Sequence, residues 1–321
     1  MTSVTCSVHT ARAVEEFLEL LLPSHIQWKS AKRGDLAYRG QSSSAWPLTP
    51  RAFRTGESVG YGPNEPKANL VRVVPQARAE FRAVSRFVRI ADGSGLQVTD
   101  LGARLLLEED PTKIFADSDW EYSWPQEQII ETLALAQHHG VPTRFLDFTE
   151  DPLIAAYFAA ANAWNPKKGS RITGKERRYL SVWVIDLRFV KALNSIGGRY
   201  PERIREIRVP RANNSYLHAQ QAFFLTDRGA NDVMARGEPL SIDNVIAERA
   251  GFWHNGKRLA WKRTKSDWFD DLPIRQIRLS TRHTGHLLRE LANRGVTVAT
   301  IMPNLDRVVE ALEIERSLPN E

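Results

Sequence analysis

Apolar positions along the chain follow two rhythms, one near 3.6 residues and one of alternation or short continuous runs. The first rhythm predicts helices over residues 11–22, where Val14, Phe17, Leu18 and Leu21 share a face, and over 77–90. It also predicts helices around 101–107 and over 127–138, 153–163, 285–293 and 304–316. The second rhythm predicts strands over 36–39, 141–147, 180–187, 220–226 and 296–301. Punctuation agrees with these limits. Gly140 is placed to end one helix as its C′ residue, and Asp151-Pro152 reads as an N-cap followed by proline in the first turn. Residues 41–69 are rich in Ser, Pro, Gly and Asn and read as loop, and 91–118 read as a connector around the short helix.

No internal repeat, low-complexity tract or linker divides the chain. The expectation is one α+β domain over residues 1–321, with a mixed or antiparallel central sheet flanked by helices. The 42% hydrophobic and 26% charged composition is ordinary for a protein with a substantial core. Cys6 stands alone, which excludes an internal disulfide framework and a cysteine-rich zinc site and fits a reducing compartment. The first residues lack a secretory pattern and the longest apolar runs, near 153–163, fall short of a membrane span. A cytoplasmic protein with no membrane partner is expected.

The net charge of +6 is a mild bias toward polyanions. Its distribution says more. Arg78, Arg82, Arg86 and Arg89 recur on one face of a predicted helix, where like charges repel unless an anion or a carboxylate answers them; a plain solvated face is the alternative. Lys167, Lys168 and Arg171 belong to a basic loop over 166–178. Lys262 and Arg263 lie in a basic segment over 256–268 that also carries Trp261 and Trp268. Basic residues interleaved with aromatics suit a nucleic-acid partner.

Three segments carry candidate chemistry. Tyr38-Arg39-Gly40-Gln41 ends a strand with a planar guanidinium suited to phosphate or carboxylate, beside a glycine that lets a ligand near the backbone; a structural arginine is the alternative. Gln137-His138-His139-Gly140-Val141-Pro142-Thr143-Arg144-Phe145-Leu146-Asp147-Phe148-Thr149 places polar groups around a short apolar strand. Asp147 could hold Arg144 or a histidine. Thr149 lies just before a helix N-terminus, where it either caps the helix or helps to bind an anion. Gln220 and Gln221 precede an apolar run, where they bind a ligand or satisfy backbone groups, and a one-residue shift of register would exchange them. The adjacent histidines lack a ligand-spaced partner, so no metal is expected. Glycine-rich phosphate loops, nucleophile elbows and zinc-peptidase helices are all missing from the sequence.

Together these segments resemble the FRG domain, a family named for its aromatic-Arg-Gly motif. The resemblance rests on Tyr38–Gln41 with Trp46-Pro47-Leu48-Thr49-Pro50, on Gln137–Thr149 running into Pro152 and Ala155–Ala159, on Gln220-Gln221 with Phe223, and on Met302–Asp306. It spans about residues 35–310. It implies a bacterial or phage-related setting, in some cases toxin or defence, with an antitoxin or chaperone as a partner. A second, weaker resemblance is to ADP-ribosyltransferases, which would make the fold transferase-like and NAD a substrate. It implies catalytic roles for Arg39, Thr149 and Gln221, and a nucleotide cradle of Tyr38, Arg39, Gly40, Gln41, His138, His139, Thr143, Arg144, Asp147, Thr149 and Tyr157. The sequence departs from that pattern at Gln221, which supplies no negative charge where the transferases have glutamate, so either Asp147 or Glu150 serves, or the chemistry is slower, or the site only binds. The expectation is an ADP-ribosyltransferase-like effector acting on nucleic acid. A non-catalytic module that binds a nucleotide or nucleic acid is the alternative.

Overall fold

A seven-stranded mixed sheet organises the chain. The computed structural model describes residues 6–28, 31–54, 72–96, 98, 101–107, 119–174, 177–195, 202–209, 219–255 and 273–319. The strands are β1 (Cys6–Ala11), β2 (Leu36–Gln41), β3 (Leu146–Thr149), β6 (Tyr179–Asp186), β7 (Ile204–Ile207), β8 (Ala222–Asp227) and β9 (Ile274–Ser280). Their order across the sheet is β1-β9-β6-β2-β3-β8-β7. Only the β1–β9 pairing is parallel. A separate hairpin joins β4 (Trp164–Asn165) and β5 (Ser170–Arg171). The helices are α1 (Val14–Leu21), α2 (Val73–Gly93), α3 (Leu101–Leu107), α4 (Ile130–His138), α5 (Pro152–Ala161), α6 (Leu187–Asn194), α7 (Ala230–Ala235), α8 (Ile242–Asn255), α9 (Thr284–Asn293), α10 (Val298–Ile301) and α11 (Leu305–Ser317).

Strand alternation separates the cores. Leu36, Tyr38, Val182, Val184, Ile277 and Leu279 face α1, α5 and α9. Ala37, Trp183, Ile185, Phe148, Phe223 and Leu225 face the opposite way, toward α6 and α8. A third cluster joins α2, α3 and α4 to Trp120, Trp124, Phe145 and Phe224. A buried ion pair ties that helical annex to the sheet. Arg144 donates from Nε and Nη2 to the Glu80 carboxylate (2.9 and 3.0 Å), and from Nη1 to the Trp124 carbonyl and Asn231 Oδ1.

Helix α5 rests directly on β2. A Cβ on Gly40 would lie 1.9 Å from the Ala155 carbonyl oxygen and 2.7 Å from the Ala159 nitrogen. The small buried residues Ala155, Ala156, Ala159 and Ala160 permit this approach. Sequence reasoning gave Gly40 the task of making room for a ligand, but the room beside its Cα is filled by the helix. Asp151 caps α5 as expected, accepting from the Leu153 and Ile154 amides.

Several expectations are corrected. Residues 296–301 form no strand; Thr297 and Thr300 close a capping box that starts α10, and these local hydroxyl bonds outcompete the β-branched character of the run. The strand expected from 141 begins only at Leu146. Pro142 has no amide to donate, and the Thr143 hydroxyl takes the Phe145 amide. Strands β1, β7 and β9 were not anticipated. In β9 the buried Gln276, which donates to the Ser44 carbonyl and Ser181 Oγ, breaks the apolar pattern of a strand that lies well inside the sheet.

Two outcomes follow from this packing. Gly40→Ala will lower the urea midpoint with the slope unchanged, by at least the ~1–3 kcal/mol typical of an overpacked core. Arg144→Met will cost about 3–5 kcal/mol, because it strands the Glu80 carboxylate in the core.

Candidate functional site

The sheet is incompletely paired at one place. Strand β2 is in register with β6 along its whole length, from Leu36 to Gln41, but meets β3 at a single pair, Tyr38 with Thr149. Beyond that pair the two strands part. A cleft of about 470 Å³ opens there, walled by Tyr38, Arg39, Gly40, Asp147, Phe148 and Thr149 from the strands. Gln137, His138 and His139 at the end of α4 form a second wall, and Ala155, Phe158 and Asn162 of the α5 region a third. Gln220, Ala222, Met302, Asn304 and Arg307 close it from later in the chain.

Arg39 spans the gap between the strands. Its Nη1 donates to the Asp147 carbonyl at 2.8 Å and approaches the Asp147 carboxylate at 3.5 Å. Burial pulls this guanidinium below the usual arginine value, while Asp147 pushes it up. Arg39 Nε is buried and has no hydrogen-bond partner. The same is true of the Tyr38 hydroxyl, whose side chain is almost wholly inaccessible; burial and the nearby Asp151 carboxylate drive its pKa far above the ordinary tyrosine value. Unpaired buried polar atoms are uncommon because each forfeits its hydration without compensation. Arg39 reaches across the cleft, whereas the Tyr38 side chain packs into the core that faces α1, α5 and α9.

Gln137 organises the opposite wall. Its Oε1 accepts from both the amide and hydroxyl of Thr143, and its Nε2 donates to Asp147 Oδ2 at 3.1 Å. The Asp147 carboxylate is therefore oriented from two sides, yet 43% of the side chain stays accessible. His138 and His139 lie with their rings nearly perpendicular, 5.4 Å apart, and His139 stacks on Phe87. Burial lowers both imidazole pKa values. For His138 the neighbouring His139 lowers it further and Asp147 opposes the fall.

The cleft brings together Tyr38, Arg39, Gly40, His138, His139, Asp147 and Thr149 of the residues singled out by sequence. It does not include the others. Gln41 is buried behind the strand, accepting from Trp183 Nε1 and donating to the Pro47 carbonyl. Thr143 is fully buried and bonds to Gln137. Arg144, expected at a phosphate, is the buried partner of Glu80. Tyr157 points to the other side of α5, where it bonds to the Val298 backbone. Gln221 adopts a left-handed backbone (φ 47°) that turns its side chain away, and its Oε1 accepts from Arg33 at 2.7 Å. Gln220 lines the cleft in its place. Glu150, the other candidate carboxylate, pairs with Arg208 outside the cleft. The Thr149 hydroxyl donates to the Gln220 carbonyl at 2.7 Å and accepts from the Asp151 amide at 3.0 Å.

Of the basic residues, Arg78 is answered by Glu121 rather than by an external anion. Arg82 and Arg86 are exposed on the outer side of α2. Lys167, Lys168 and Arg171 are exposed on the turn and hairpin that follow Asn162. Lys262 and Arg263 lie outside the described residues. Gln137, Phe158, Asn162, Asn304 and Arg307 were missed as site residues. Gln137 stood inside a quoted motif, but its role depends on the turn that folds Thr143 back onto it. For Arg307 the only signal was the helix start at Asn304, whose side chain caps α11 by accepting from the Arg307 amide. Among the described residues, no group of three His, Cys, Asp or Glu side chains is placed to hold a metal, and no helix is long and apolar enough to cross a membrane.

Residues 34–168 match the family model of the FRG domain. No curated protein and no solved structure matches the chain.

The lowered histidine values predict a pH dependence of stability. Well above about pH 6.5 both imidazoles are neutral folded or unfolded. As pH falls through that value the unfolded chain takes up protons before the folded one, so stability is lost on acidification toward the folded values. His138→Gln will flatten this slope in urea titrations between pH 7 and pH 5, and an unchanged slope would refute it.

Proposed function

We propose that the cleft, built in part by residues 34–168 that match the FRG-domain model, is a nucleotide site that transfers ADP-ribose from NAD. The observation that carries this reading is the Arg39 guanidinium set beside the accessible Asp147 carboxylate in one cleft, with His138 on the facing wall. A guanidinium is a donor of the kind that holds a pyrophosphate, and a carboxylate accepts from a ribose hydroxyl. Asp147 takes the role first considered for Gln221, because it is the carboxylate that lines the cleft while Gln221 faces Arg33.

In the transfer, the bond between the nicotinamide nitrogen and ribose C1′ breaks and its electron pair leaves with nicotinamide. A nucleophilic atom of the acceptor forms the new bond to C1′ and gives up its proton. Asp147 stabilises the positive charge that develops on the ribose. His138, whose imidazole pKa is lowered by burial, stands on the cleft wall as the candidate general base. Thr149 contributes position rather than chemistry, since its hydroxyl is engaged with Gln220 and Asp151. A nucleic-acid acceptor is supported by Lys167, Lys168 and Arg171, exposed on the segment that leaves the cleft at Asn162. As a toxin or defence effector, the wild type would arrest growth on expression and Arg39→Ala would relieve the arrest.

A second reading, nucleotide binding without turnover, is favoured by one specific feature. Asp147 is already held by Arg39 and Gln137, as a residue tuned for a fixed ground state would be.

Incubation with NAD labelled in its adenine ring, together with RNA, DNA or cell lysate, separates the two. Transfer predicts label retained on one acceptor fraction, reduced roughly 100-fold or more by Asp147→Asn. Bound NAD with neither retained label nor released nicotinamide would overturn the transfer reading in favour of the second.

A further inference from the structure

Many arginines of this fold are matched by a carboxylate: Arg39 by Asp147, Arg78 by Glu121, Arg144 by Glu80, Arg188 by Asp186, Arg203 by Asp227, Arg208 by Glu150. One group departs from this rule. Arg171 of β5, Arg177 and Arg178 at the entrance to β6, and Arg282 in the turn after β9 line a single pocket of about 360 Å³ with Thr173 and Ser280. The pocket's lining holds no carboxylate among the described residues.

Neutral partners hold these cations in place. Arg171 Nη1 donates to Thr281 Oγ1 at 3.0 Å. Arg177 Nη1 donates to the Asn162 carbonyl at 3.2 Å, and its guanidinium lies 5.3 Å over the Trp46 ring. Arg178 lies 5.4 Å over the Tyr179 ring. The Thr281 hydroxyl in turn bonds to the Arg177 and Arg178 carbonyls, which fixes the backbone between β6 and β9. Each guanidinium has five N–H donors, and these contacts use one donor of Arg171 and one of Arg177. Four like charges gathered around one concavity repel each other, and an anion entering it relieves the repulsion. The planar donors suit the oxygens of phosphate best, and the hydroxyls of Thr173 and Ser280 add neutral donors.

We propose that this pocket is a phosphate-binding site, separate from the cleft, that takes either the backbone phosphates of a single-stranded nucleic acid or a small polyphosphate. The inference concerns binding alone and does not rest on any transfer reaction in the cleft. The two sites are neighbours: the Asn162 residue whose carbonyl holds Arg177 also lines the cleft.

The test compares wild type, Arg178→Ala, Arg282→Ala, their double variant and Arg282→Lys, with Arg236→Ala as a control at an exposed arginine paired to Glu238. One arm titrates an end-labelled single-stranded RNA by fluorescence polarisation across a salt series; the other titrates inorganic pyrophosphate by calorimetry. Each alanine should weaken binding roughly tenfold. In the RNA arm each should also reduce the slope of log K against log salt by about 0.7. Arg282→Lys should keep the slope but lose part of the affinity, because it retains charge without the fork. Loss in the RNA arm assigns the site to nucleic acid, and loss only with pyrophosphate assigns it to a small phosphate. Affinities unchanged from wild type in both arms, in variants that keep the wild-type urea midpoint, overturn the proposal, as does an equal loss from Arg236→Ala.

Discussion

A carboxylate with no access to water holds the two halves of this fold in one arrangement. Glu80 accepts from Arg144 Nε and Nη2, from Trp124 Nε1 and from Gln76 Nε2. Arg144 spends its remaining reach on Trp124 and Asn231. Four separate stretches of chain therefore meet at one ion pair: α2, the turn around Trp124, the approach to β3, and α7. The desolvation cost of two buried ions is offset only when every lone pair and proton is met with good geometry, so the network tolerates one register of these elements. Arg144 lies three residues before Asp147, and the constraint thus reaches the cleft through β3.

The cleft itself arises from a pairing that the sheet declines to complete. Strand β2 keeps full register with β6 and touches β3 at one pair. Helix α5 presses on β2 at Gly40, where any side chain would enter the helix backbone. Arg39 fills the opening from one side, tied to the carbonyl and carboxylate of Asp147, and Gln137 carries the Asp147 contact back to the turn at Thr143. The polar lining is thus a connected set in which Arg39 Nε is left without a partner.

Much of the fold was legible in the sequence because its signals are local. The periodicity of α1, the cap at Asp151 and the apolar run of β6 each declare themselves within a few residues. The strand β9 did not, because its buried Gln276 reads as polar until the Ser44 carbonyl that receives it is known. Of the site, the residues at strand ends were legible and the direction of their side chains was not. Arg39 and Arg144 look alike as arginines near a short strand, yet one lines the cleft and the other is sealed against Glu80. Gln220 and Gln221 exchanged places through a single left-handed residue, a backbone choice that no neighbouring glycine announced.

The family match ends at residue 168, but the cleft does not. Gln220, Ala222, Met302, Asn304 and Arg307 all come from beyond it. The cleft is a composite: one jaw, in which Arg39, Gln137 and Asp147 are hydrogen-bonded together, lies within the matched residues, and the other is supplied by the chain that follows. Changing the second jaw would reshape the opening and leave the hydrogen bonds among Arg39, Gln137 and Asp147 in place. The matched motif thus supplies a grip, and the residues beyond it shape what that grip can admit.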